Sequence, residues 1–242
     1  MIGNNSNLLK VKSDYELSGR ELYVNNIFLK NINFSGRTVC EVGPGFGWFV
    51  KFLVDQKAKK IDVYDINLEN KEHILSLANA TDSVIEFKNP TDVFSFGEKK
   101  YDYIFAFEVM EHIKPNSELK FMKALKNALD ENGVLIMSTP SDDIRAKYLD
   151  PALYLTGHRH YGIKHYKKYS DIVGLKVIDY ELAGGWFAII DLYNLYIAKW
   201  IFRRKRFFED FFKRRSTLDY FNNKKPFNTV MVKMKIKSKE SL

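Results

Sequence analysis

Val39-Cys40-Glu41-Val42-Gly43-Pro44-Gly45-Phe46-Gly47 runs apolar residues straight into three alternate glycines, with an acid two places ahead of the first. A strand that stops in glycines exposes bare backbone, because no Cβ stands between chain and ligand. A helix starting there adds unpaired N–H groups and a positive dipole end. This combination suits a nucleotide-like ligand. Dinucleotide sites ask for G-x-G-x-x-G, with the pyrophosphate over the helix start. Here the spacing is G-x-G-x-G, and Trp48 stands where the third glycine of that pattern belongs. An adenosine ligand without a pyrophosphate, S-adenosylmethionine being the common case, fits this better than NAD. An ordinary strand-to-helix turn is the plain alternative.

Two further groups of residues bear on that choice. Lys60–Ile66 reads as a strand ending in Asp65, 22 residues beyond Gly43. At that distance an α/β unit brings a second strand tip beside the first loop. A carboxylate there can accept two hydrogen bonds from ribose hydroxyls, or it can cap the helix that follows. Tyr101–Ile113 is an apolar strand ending in Glu108, Glu111 and His112, and open α/β sheets bind ligands at such carboxyl ends. General-base candidates for a hydroxyl acceptor are His112 and the group His158, His160 and His165. His160 and His112 are singled out as the catalytic pair, each with a structural role as its alternative. A metal is not expected, because no Cys or Asp/Glu joins those three histidines at ligand spacing along the chain.

These residues need elements to carry them. Strands are predicted at 37–43, 60–66, 83–88, 101–107 and 133–139, with helices near 47–57, 68–79 and 116–130, the last ended by Asn132-Gly133 as helix C-termini prefer. Apolar spacing over 14–34 predicts a leading helix. A helix over 166–173, a strand over 175–182 and a period-2 strand over 229–237 complete the pattern. Alternation of this kind means an α/β doubly wound, mostly parallel seven-stranded sheet with an antiparallel last strand. The expected parts are an N-terminal helical cap (1–35), a core (36–182), a basic amphipathic helical insertion (183–226), and the last strand with its tail (227–242).

With E-V-G-P-G-F-G at 41–47, D-V-Y-D-I at 62–66, Y-D-Y-I-F-A-F-E-V-M-E-H-I at 101–113 and L-K-N-A-L-D-E-N-G-V-L-I-M-S-T-P at 125–140, the chain resembles the class I S-adenosylmethionine-dependent methyltransferases. It is similar above all to the group holding the ubiquinone and menaquinone biosynthesis enzymes. The resemblance spans roughly residues 35–140. It implies a Rossmann-like fold and S-adenosyl-L-methionine as cofactor. Glu41, Gly43, Gly45 and Gly47 would surround its methionine part, Asp65 its ribose and Ile66 its adenine, with Phe107 and Glu108 beside it. Asp92 would lie near the adenine amino group, although Asn89-Pro90-Thr91-Asp92 departs from the family's Gly-Asp.

Composition sets the remaining bounds. The chain has 242 residues, 45% of them hydrophobic, enough for one sizeable core. Cys40 is the single cysteine, so no intramolecular disulfide forms. With no basic-then-apolar start, this fits a cytoplasmic protein. The charge of +8 is uneven: Lys199–Lys225 holds ten Lys/Arg against three acids, and the first 198 residues are slightly acidic. Such asymmetry points to an anionic partner. Trp186–Phe202 is apolar but too short and too interrupted to span a bilayer. Phe207, Phe208, Phe211 and Phe212 between basic runs read as one side of an interfacial helix. The segment 186–215 is therefore expected to touch an anionic membrane surface at the inner face, or to cover the pocket, or to form an interface.

The function expected is methyl transfer to a small or lipid-linked acceptor at oxygen, for example a quinone precursor or a lipid-carried glycan. An RNA methyltransferase using the basic segment is the alternative, and a non-catalytic cofactor-binding protein a third. Nucleic acid is less favoured. No Asn/Asp-Pro-Pro-Tyr follows the fourth strand, and the lone Cys40 excludes a two-cysteine mechanism.

Overall fold

The computed structural model describes residue 17, residues 19–90 and residues 94–238. Five strands alternate with helices in the first part: β1 (Thr38–Val42), α2 (Trp48–Asp55), β2 (Lys60–Tyr64), α3 (Lys71–Ser76), β3 (Val84–Lys88), β4 (Tyr101–Phe107), α4 (Glu118–Ala128) and β5 (Leu129–Pro140). A short α1 (Gly19–Tyr23), continued by a π-helical turn over Val24–Phe28, precedes them. Then come α5 (Ile144–Leu149), α6 (Pro151–Thr156), α7 (Ile163–Val173), β6 (Leu175–Ala183), α8 (Trp186–Trp200), α9 (Glu209–Asn222) and β7 (Thr229–Ile236).

The sheet has seven strands in the order β3-β2-β1-β4-β5-β7-β6. β7 pairs antiparallel with both β5 and β6, and the other pairings are parallel. The doubly wound, mostly parallel sheet expected from the alternation is therefore present.

Alternate residues of each strand feed two cores, one on each face. Ile104 and Ala106 of β4 pack with Phe121, Leu125 and Tyr166 from α4 and α7. Phe105 and Phe107 pack with Phe49 and Leu53 of α2 and Phe28. Burial on both faces is why β1, β2 and β4 read as continuous apolar runs rather than as alternation.

Two expectations change. The helix before β5 ends at Ala128, and Asn132-Gly133 lies within a bulged start of β5, where the pairing jumps from Tyr101–Leu129 to Tyr103–Val134. The phenylalanines do not share one helix side: α9 starts at Glu209, Phe208 is left-handed (φ 46°), and Phe207 N–H donates to Asn194 Oδ1 at 3.1 Å. Of the leading helix, residues 14–16 and 18 lie outside the described residues, as does Asp92.

Candidate functional site

Val42 pairs with Tyr64, so Gly43 and Asp65 leave the sheet side by side. Gly43 N–H donates to Tyr64 O at 2.9 Å, and Asn70 Nδ2 donates to Gly45 O at 3.0 Å, which fixes the loop against the segment after β2. Gly43, Gly45 and Gly47 all have positive φ (67°, 56° and 82°). A Cβ on Gly43 would lie 2.8 Å from Val109 Cγ2, whereas one on Gly45 would meet nothing within 4 Å. The first glycine is thus needed for packing, and the second leaves backbone open to a ligand. Gly43→Ala is expected to cost about 1–3 kcal/mol through its backbone conformation and the contact with Val109, read as a lower urea midpoint. An unchanged midpoint would show that the loop relaxes freely.

Around this loop the polar groups are arranged for a ligand. Glu41 on β1 is buried, and its Oε2 has no hydrogen-bond partner among the described residues. Burial, with the nearby charge of Asp65, pushes its carboxyl up to about 8. Asp65 Oδ1 accepts from Asn67 N–H at 2.8 Å, so the helix-cap reading of this residue is a local turn. Ile66 is 66% exposed, an apolar surface beside the strand tip. Phe107 packs on Trp48 and Phe49. Trp48 therefore fills the position that a dinucleotide loop leaves open.

Glu108 follows β4 with φ 54°, strained for a non-glycine residue. Ser138 Oγ donates to its Oε1 at 2.7 Å, and Arg20 of α1 lies 3.0 Å from its Oε2. Arg20 gave no signal in the sequence, because an arginine on a short leading helix looks like any surface charge.

The histidines gather at the other side of this strand end. Asp150 caps α6, with Oδ1 accepting from Ala152 N–H at 2.8 Å. Its Oδ2 lies 3.0 Å from His158 Nδ1 and 3.2 Å from His160 Nε2. Burial works against the charged form of Asp150, but the hydrogen bonds with His158 and His160 hold its carboxyl well below the usual range.

His160 is packed away, its side chain 1% exposed. His158 faces the strand end, its Nε2 3.8 Å from Glu111 Oε1 and its ring 4.9 Å from that of His112. Partial desolvation beside the strand end, and then the neighbouring His158, lower the pKa of His112. His165 sits apart, with Nδ1 accepting from Gly162 N–H at 3.2 Å.

Arg159 ties this segment to the turn after β4 by donating to the Met110, Glu111 and Ile113 carbonyls. A cleft of about 290 Å³ runs beside it, lined in part by Leu153, His158, His160 and Tyr161. Folding brings Glu111 and His112 beside His158, with one donor atom of each within 4.8 Å of the others.

A family model described as a methyltransferase domain matches residues 20–180. The chain is 24% identical over 124 residues to tRNA U34 carboxymethyltransferase of Campylobacter curvus, a match covering 51% of this chain and 41% of that protein. Among solved structures, magnesium protoporphyrin IX methyltransferase from Synechocystis PCC 6803, with bound SAH, has a TM-score of 0.61 at 14% identity, covering 93% of this chain and 90% of that one. The N-methyltransferase NodS from Bradyrhizobium japonicum WM9, in complex with S-adenosyl-L-homocysteine, has a TM-score of 0.59 at 14% identity, covering 90% and 86%. At such identities the structural likeness shows the fold.

Proposed function

We propose that the chain, which belongs to the methyltransferase domain family, is an S-adenosyl-L-methionine-dependent methyltransferase that methylates an oxygen of a small acceptor carried on a lipid. When bound, the cofactor supplies an electrophilic methyl group on a sulfonium. The residues present suit it: an open glycine loop, a buried Glu41 oxygen with no partner for an ammonium to meet, Asp65 for ribose hydroxyls and the exposed Ile66 for the adenine. Asp92 would join them from outside the described residues.

The observation that carries the choice of oxygen is the Asp150–His158 pair aimed at the end of β4. A hydroxyl becomes a useful nucleophile only as its proton leaves, and a positioned base contributes roughly 10²–10⁴-fold. His158 and His112 are the groups placed to take that proton. His160 acts through Asp150 as a positioning residue.

The lipid-borne acceptor is supported by α8. Trp186, Ile190, Tyr193, Ile197 and Trp200 are exposed at helical spacing along one stripe, while Ile189 packs inward on Ala146 of α5 and Phe227. The stripe continues into exposed Ile201, Phe202 and Phe208, beside exposed Arg203, Arg204 and Lys205. Arg206 on Asp191 at 2.8 Å ties the basic loop to α8. Among the described residues no helix is long and apolar enough to cross a membrane, so the arrangement suits a face lying on an anionic bilayer. A nucleic-acid acceptor would leave the aliphatic part of this stripe without a partner.

Co-sedimentation with phosphatidylserine vesicles is expected at low salt, with little on neutral vesicles. Each surface cation contributes about 1 kcal/mol, so the triple variant Arg203→Gln, Arg204→Gln, Lys205→Gln is expected to bind on the order of 10²-fold less tightly. Equal recovery on neutral vesicles, or steeply salt-dependent RNA binding in place of lipid binding, would reject the lipid reading. Incubating an extract with labelled cofactor and finding the label only in water-soluble macromolecules would do the same.

A further inference from the structure

Glu111 is completely buried at the end of β4, and neither of its carboxylate oxygens has a hydrogen-bond partner among the described residues. The two neighbouring arginines make their ion pairs with other carboxylates, Arg20 with Glu108 and Arg159 with Glu118. His158 Nε2, at 3.8 Å, is too far for a hydrogen bond. A buried carboxyl left in this state either keeps a proton or is met by a further positive group.

Two imidazoles frame the gap. One donor atom from each of Glu111, His112 and His158 lies within 4.8 Å of the others. Asp150 sits on His158 Nδ1 at 3.0 Å, which assigns the proton to that nitrogen and leaves the Nε2 lone pair aimed at Glu111. A carboxylate behind a histidine in this way is the outer-shell arrangement that orients metal-ligating imidazoles. His112 is exposed, so its ring has room to turn inward.

We propose that Glu111, His112 and His158 bind a divalent cation of the zinc, manganese or iron class, with Asp150 as the outer-shell partner. Two imidazoles and one carboxylate select borderline metals over magnesium or calcium, which favour all-oxygen shells. Three protein ligands leave open positions. A metal there would hold an acceptor oxygen in its deprotonated form at the end of β4, replacing proton transfer to His158 and His112, whose lone pairs would then be on the cation. That role rests on the proposed oxygen acceptor; cation binding itself does not.

The test uses the full chain stripped with a chelator and titrated with Co²⁺, followed by its visible absorption, and with Zn²⁺ by calorimetry. One cation per chain is expected. Glu111→Gln and His158→Ala should weaken binding by more than about 100-fold, and Asp150→Asn by ~10–100-fold, the range for outer-shell partners. His112→Ala changes an exposed residue and reads the ligand set without disturbing the core. Calorimetry with S-adenosyl-L-homocysteine confirms that each variant is folded. No saturable cation uptake by the parent, or equal uptake by the parent, Glu111→Gln and His112→Ala, would overturn the proposal. Stoichiometric binding without methyl transfer to any hydroxyl would uphold the site and reject the oxygen acceptor instead.

Discussion

His158→Ala is expected to lower turnover by ~10²–10⁴-fold, the usual contribution of a positioned proton acceptor, while the dissociation constant for S-adenosyl-L-homocysteine stays unchanged. The reason is its place between Asp150 and Glu111. Asp150 holds Nδ1 at 3.0 Å, so the ring cannot turn away from the strand end, and Nε2 faces Glu111 and His112. Asp150→Asn keeps the shape but removes the charge that stabilises a protonated ring, and should recover only part of the parent rate. His160→Ala should act in the same direction and more weakly, because His160 is buried and touches Asp150 rather than the strand end. Single-turnover rates and product-binding calorimetry separate these effects. A His158→Ala enzyme with parental single-turnover kinetics would remove the histidine group from the chemistry.

The proposed cofactor half of the site is legible in the sequence because it is local. Each of Glu41, Gly43, Gly45, Gly47, Asp65 and Glu108 sits at or just beyond the end of a parallel strand, and the strand register alone brings those ends together. The proposed acceptor half is not, because it is built by contacts between distant segments. Asp150 is followed by Pro151, a pairing that reads as a helix start. It is indeed the cap of α6, and only folding shows that its second oxygen meets His158 and His160.

The helices α5 and α6 have six residues each, too few for a helical period to emerge from the text. The end of α4 was misplaced for a related reason. Asn-Gly suits a helix end and a strand bulge equally, and the pairing of Leu129 with Tyr101 decides between them. Trp48 stands where a dinucleotide loop would place its third glycine, and its aromatic contact with Phe107 comes only with the fold.

Affinity for the methyl donor is expected to rise with pH from 6 to about 8. Glu41 is buried and carries an oxygen without a partner among the described residues, and burial, reinforced by the charge of Asp65, raises its carboxyl to about 8. Below that pH the free protein therefore holds a proton there. An ammonium placed beside Glu41 favours the carboxylate, so binding must expel the proton. Its cost shrinks as pH climbs, by at most tenfold in dissociation constant per pH unit. Above pH 8 the α-amino group itself loses charge, which caps the gain.

Calorimetry in two buffers of different ionisation enthalpy should detect proton release at pH 7. Glu41→Gln should abolish both the release and the rise. It should also weaken binding at pH 8 by about 1.5–3 kcal/mol, the range for a hydrogen bond to a charged group. If the parent binds equally at pH 6 and pH 8 with no proton exchanged, Glu41 does not meet the ammonium. The orphaned oxygen would then have to be satisfied by something other than the donor's methionine end.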